Sequence, residues 1–213
     1  MSYLLNEPGV VMQLLLQHLQ MVGATLLFAV LIAVPLALVV TRYRWLSVPI
    51  LGSLSIIYTI PSLALIIFLV PLLGLNARSV IMAMVLYTQV ILVRNLTVGL
   101  TGIDGAVLEA AKGMGMNRWQ CWWWVEVPLV LPVFLAGVRI ATVVSIAIAT
   151  IGAKFNAGGL GTLLFDGIQT NRLDKIWAGA IVVSLLAFAT NSLLQWLEKA
   201  TNPLIQTQAT TKR

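Results

Sequence analysis

Thr101-Gly102-Ile103-Asp104, Glu109-Ala110-Ala111, Gly113, Gly115 and Val125-Glu126-Val127-Pro128 punctuate a polar interval between two long apolar runs, residues 79–96 and 129–152. Each run is near the roughly 20 residues that a helix needs to cross about 30 Å of hydrocarbon. The interval between them carries turn residues, charges and tryptophans, so it reads as a compact elbow outside the bilayer between two spans. That reading decides the fold class: an all-α, polytopic membrane protein that offers a partner something to grip.

Working outward, residues 21–40, 49–70 and 176–197 form three further apolar runs, giving about five spans. The composition agrees. With 213 residues, 60% hydrophobic and 9% charged, and a mean hydropathy of +0.97, the chain has too little polar surface to cover a soluble globule. Its net charge of +6 comes from cations scattered between apolar blocks, as expected of topology-setting loop charges, and excludes a nucleic-acid-binding surface. The single cysteine, Cys121, allows no internal disulfide and has no CxxC or histidine partner in sequence, and the single histidine, His18, has no acidic neighbour. Metal and nucleophilic-triad chemistry are therefore unsupported, and His18 reads as an interfacial histidine.

Asn6-Glu7-Pro8 has the residue types of a helix start, and residues 10–19 mix leucine with Gln17 and His18 like a helix lying in the interface. No basic stretch precedes it, so it is not read as a cleavable signal. Arg42, Arg44, Arg94, Lys112, Arg118, Lys199, Lys212 and Arg213 fall on one side of the five-span topology, against Arg78, Lys154, Arg172 and Lys175 on the other. This asymmetry predicts an external N-terminus and a cytoplasmic C-terminus. Pro35, Pro61 and Pro132 lie within spans, where each marks a packing kink or a wall of a path. Ala136, Gly137, Ala141, Ala147 and Ala149 predict close helix packing in the fourth span. There is no internal repeat, which argues against a self-sufficient secondary transporter and for a second membrane subunit.

Within the elbow, Asp104 is placed to cap a short helix through Ala111, which Gly113 and Gly115 end. The small side chains Ala110 and Ala111 let backbone approach backbone, so this helix suits a groove on another protein. Asn117 begins a second segment. Trp119 and Trp122-Trp123-Trp124 read as an interfacial belt, since three consecutive residues cannot share one helix face.

The E-A-A-x3-G-x9-V-x-V-P run, from Glu109 to Pro128, resembles the cytoplasmic EAA loop of permease subunits of ATP-binding-cassette importers, with Val125 and Val127 where isoleucine and leucine are more usual. The resemblance implies a type I importer permease fold: one permease domain over 1–213, with its core at 19–200 and its coupling loop at 101–128. Glu109, Ala110, Ala111, Gly113, Gly115 and Pro128 would meet the ATPase. It further implies a bacterial inner-membrane location, two cytoplasmic ATP-binding subunits, a second permease subunit and an extracytoplasmic solute-binding protein, with no cofactor. Hydrolysis falls to the partner, since this chain has no GxxxxGK[ST] phosphate loop.

Tyr58 to Leu65, Val70 to Gly74, Leu92-x-Arg94-Asn95, Ala136-Gly137-x-Arg139-x-Ala141-Thr142 and Ala157-Gly158-Gly159-Leu160-Gly161 are similar to the osmoprotectant branch, which imports glycine betaine, carnitine, choline or related quaternary ammonium solutes. The alternatives are the same machine carrying methionine, another amino acid or an oxyanion, and a stand-alone ion-coupled carrier or membrane enzyme. The last is disfavoured because no span holds a paired acidic or histidine cluster. Candidate path or gate residues are Pro61, Arg139, Asn156, Gly158 and Gly159. Gly158 and Gly159 read equally as a flexible loop or a docking turn. Lys154-Phe155-Asn156 brings charge and bulk where the branch is usually small. Arg139 is either paired or snorkelling, or lies in the path, where a fixed cation would repel a quaternary ammonium solute. Arg94 is read as facing headgroups or the ATPase.

Overall fold

The computed structural model describes residues 2–201, which contain helices and turns and no strand. Lys212 and Arg213, used above for orientation, lie outside the described residues. The order is α1 (Ser2–Asn6), α2 (Pro8–Arg42), α3 (Ser47–Thr59), α4 (Ser62–Leu73), α5 (Ala77–Thr101), α6 (Gly105–Gly113), α7 (Arg118–Cys121), α8 (Val127–Gly152), α9 (Gly161–Gln169) and α10 (Leu173–Ala200). Four of the described stretches are long and apolar enough to span a bilayer unbroken: α2, α5, α7 with α8, and α10. A fifth is a bent pair, α3 and α4, turned through 98°.

The bend follows from Pro61. The residue before a proline is pushed out of helical geometry, and Ile60 is extended at φ −68° and ψ 127°. The carbonyl this frees is not left bare, because the Tyr87 hydroxyl of α5 donates to it. In hydrocarbon such satisfaction is obligatory. Pro35 and Pro132, by contrast, sit inside helices that continue through them.

The interfacial helix expected at 10–19 is not separate: it is the first part of α2, a 35-residue helix. Neither a proline nor a glycine pair interrupts it between Pro8 and Pro35; Gly9 sits in the first turn, and the one interior glycine, Gly23, costs only about 1 kcal/mol. At 1.5 Å per residue the helix is about 50 Å long, so it outruns the hydrocarbon and its early turns pack on protein. His18 accordingly is buried, not interfacial.

α5 is the central helix, packed against α2 on one side and α8 on the other. Ala29, Ala33 and Ala37, one turn apart on α2, meet Val85, Leu92, Val93 and Leu96 of α5 and Val130 and Ala141 of α8. On α8, Gly137 admits Asn95 so closely that an added Cβ would stand 2.9 Å from the Asn95 Cβ. Gly137, Ala141 and Ala149 are buried as the small-residue pattern requires, whereas Ala147 lies on the outward face. A second cluster joins Met21, Leu65, Ile66, Met84, Ile146 and Phe155. The helix α9, which the sequence reading did not anticipate, buries Leu163 against Ala178 of α10. Glycines at 161 and 167 mask its helical pattern.

Candidate functional site

α5 runs five residues past the apolar run that defines it and stops at Thr101. Asp104 is extended, and its Oδ1 accepts from the Ala106 amide at 2.9 Å, starting α6. The helix ends in a Schellman motif: the Gly115 amide donates to the Lys112 carbonyl at 2.9 Å and the Met116 amide to the Ala111 carbonyl at 3.2 Å. That motif needs a left-handed residue, and Gly115 supplies it at φ +83°. Gly113 is the last helical residue, as expected, and has open space where a Cβ would sit.

Glu109 and Ala110 are exposed while Ala111 is 1% exposed. The segment is therefore a short handle, pinned by one alanine and otherwise bare. Beyond the turn, Asn117 and Gln120 form a reciprocal capping box, with amide-to-side-chain distances of 2.8 and 2.9 Å. Trp122–Glu126 then form one π-helical turn. Pro128 explains its position, since it cannot donate to the Trp124 carbonyl and a wider turn absorbs the missing bond. Pro128 itself is exposed in the first turn of α8. Met114, Gly115, Met116, Gln120 and Trp124 line a shallow depression of about 260 Å³ beside the handle. The sequence reading missed Gln120 and Trp124 as members of this surface; the N-x-x-Q spacing was the available signal for the first.

The α8–α9 connection is a fitted turn. Asn156, Gly158 and Gly159 have φ of 56°, 78° and 80°. The Gly159 amide donates to Gln17 Oε1 at 3.0 Å, and an added Cβ would lie 3.0 Å from His18 Nδ1. Nor is there room beside Gly161, where a Cβ would lie 2.0 Å from the Thr150 carbonyl oxygen. The glycine run thus docks on α2 with no slack. Lys154 covers the Phe165 ring at 4.8 Å, and Phe155 is buried in the core. Gln17 and His18 are partners of this turn that the sequence reading missed, and their only signal was polarity in an otherwise leucine-rich helix.

Arg139 donates from Nε to Glu198 Oε2 at 3.0 Å and from Nη1 to Asn191 Oδ1 at 3.4 Å, tying α8 to α10. Arg94 is exposed. The structure thus brings 109–115 together on one handle and places the gate candidates on different elements: Pro61 at the α3–α4 bend, Arg139 on α8 facing α10, and Asn156, Gly158 and Gly159 over α2. No group of three or more histidine, cysteine or acidic side chains able to hold a metal occurs among the described residues.

Known proteins share this arrangement. The osmoprotectant import permease protein OsmW of Salmonella typhimurium is 36% identical over 206 residues, covering 94% of this chain and 96% of that protein. The glycine betaine/carnitine/choline transport system permease protein OpuCD of Bacillus subtilis is 38% identical over 204 residues, covering 95% and 89%. The fold matches a chain of the MetNI methionine ABC transporter in an inward-facing conformation, with TM-score 0.76 at 18% identity over 91% of this chain and 96% of that one. The profile described as binding-protein-dependent transport system inner membrane component matches residues 4–203. The chain belongs to this family of inner-membrane transport components, whose members work with ATP-binding subunits, a partner permease and a solute-binding protein.

Proposed function

We propose that this chain, as one permease domain over 1–213, forms half of the membrane path of an importer for osmoprotectants such as glycine betaine, carnitine or choline. It is a transport subunit, and ATP hydrolysis falls to its partner. The cargo reading is supported by relatives named for these solutes that are 36–38% identical to nearly the whole chain. The mechanical reading rests on α6: a capped helix with Glu109 and Ala110 bare and Ala111 as its anchor has the form of a lever inserted into another protein. Glu109, Ala110, Ala111, Gly113 and Gly115 carry the thrust, and Pro128 with the π turn transmits it into α8. The elbow then lies in the cytoplasm, with the N-terminus outside and the C-terminus inside.

Two cytoplasmic ATPase subunits, a second permease, identical or paralogous, and an extracytoplasmic binding protein complete the machine. The glycine turn on α2 and Pro61 at the bent pair are assigned to the opposite, gating end. Arg139, held by Glu198, stays out of the path of a cationic solute.

A strain lacking the subunit should lose betaine rescue of growth in high salt and regain it from a plasmid copy. Rescue by methionine uptake instead would move the cargo to the amino-acid alternative. Replacing Glu109 by Lys should leave insertion intact, keep ATP hydrolysis running and abolish uptake; unaltered uptake would remove the lever.

A further inference from the structure

At the elbow end of the bundle lies a cavity of about 560 Å³, whose walls include Leu38 of α2, Leu96 and Leu100 of α5, Trp119 and Trp122 of the elbow and Phe134 of α8. All of its lining residues are apolar or aromatic, and its size falls in the ~300–1,000 Å³ range of small-ligand pockets. It lies beside the last turns of α2 and α5, next to the polar elbow and its tryptophans. An empty apolar cleft there would forfeit dispersion contacts along its whole wall.

Two cations each lie one helical turn from a residue that lines it. Arg42, the last residue of α2, follows Leu38 by one turn and so shares its face. Arg118, the first residue of α7, precedes Trp122 by one turn, since the Trp122 amide bonds the Arg118 carbonyl. Both arginines are exposed. The ion pairs among the described residues are Arg139–Glu198 and Arg172–Asp174, so neither of these two arginines is neutralised, and Glu126 on the π turn pairs with neither.

We propose that this groove holds one acyl chain of an anionic phospholipid, with the phosphate between Arg42 and Arg118. A guanidinium pair suits a phosphate through charge-assisted bonds, and an acyl chain asks no hydrogen bond of an apolar wall. Indole rings at the boundary give the headgroup region a rigid shelf. Because that shelf is part of the elbow, the lipid wedges the lever against α2.

The test uses the whole complex with its ATPase and partner subunits in nanodiscs, with lipids brominated in mid-chain to quench tryptophan. Subtracting the signal of a Trp122→Phe complex isolates that ring. With each of these cations worth about fivefold toward an anionic lipid, brominated phosphatidylglycerol should half-quench Trp122 at about one-fifth or less of the mole fraction that brominated phosphatidylcholine needs. The Arg42→Gln/Arg118→Gln complex, shown intact by size exclusion, should lose that preference. Three results would overturn the proposal: equal quenching by both lipids, no quenching by either because a protein segment fills the groove, or a preference that survives the double substitution.

Discussion

Two glycines of this chain make opposite demands on a side chain. Gly159 is left-handed at φ +80°, with Met21 Cε 2.9 Å and His18 Nδ1 3.0 Å from an added Cβ. Alanine there would meet both backbone strain and a clash. Gly159→Ala should therefore lower the stability of the purified complex by about 1–3 kcal/mol, measured as a fall in thermal-unfolding midpoint. Gly113 is helical and open on all sides, so Gly113→Ala should gain about 0.5–1 kcal/mol from helix propensity. A midpoint that falls would show that a partner approaches Gly113 more closely than a methyl allows. Arg139 and Glu198, each with a side chain 27% exposed, should show a coupling of about 1 kcal/mol or less in a double-mutant cycle of midpoints, because solvent still screens them. If the proposed function holds, with Arg139 kept out of the path by Glu198, neither single loss should raise uptake.

Among the elements, the α3–α4 pair packs on α5 through Leu65, Ile66 and Leu69, and a side-chain bond braces its bend. Tyr87 donates to the Ile60 carbonyl, and its ring meets Tyr58 at 5.3 Å. Tyr87→Phe keeps the ring but strips the bond from a carbonyl that the break has freed. The expected cost is about 1–3 kcal/mol for an acceptor left without a partner in hydrocarbon, read as a lower midpoint and faster proteolysis between α3 and α4. Unchanged values would place water, not Tyr87, as the effective partner. Most of the sequence reading holds at this scale: about five apolar spans, one of them a bent pair, the Asp104 cap, and a short elbow helix closed at Gly115 follow from local chemistry. The continuity of α2, the π turn before Pro128 and the helix α9 do not, because each depends on what packs beside the segment.

Across the whole molecule, the unevenness of burial is informative. α5 is enclosed by its neighbours, whereas α3 buries no residue and α10 only Ala178 and Gly179. Lipid can cover Phe188 of α10, 71% exposed, but the broken backbone around Thr59 needs protein or water beside it. In a Cys121→Ala background, Thr59→Cys in the assembled complex should react with a polar thiol reagent at a rate that changes when ATP binds. Phe188→Cys should stay inert. Equal inertness at both positions would put the bend against closed protein instead of a path.

What the sequence determined by itself was everything that local periodicity and turn chemistry encode: the bilayer as solvent, the apolar spans, and a capped short helix with a left-handed glycine at its end. Burial was a different matter. That Gln17 and His18 turn inward to receive the glycine turn, that Arg139 finds Glu198 59 residues away, and that apolar walls from α2, α5 and α8 enclose a groove were decided only when the helices packed. Such pairings join residues far apart in the chain, and no periodicity within one segment specifies which face of another it will meet.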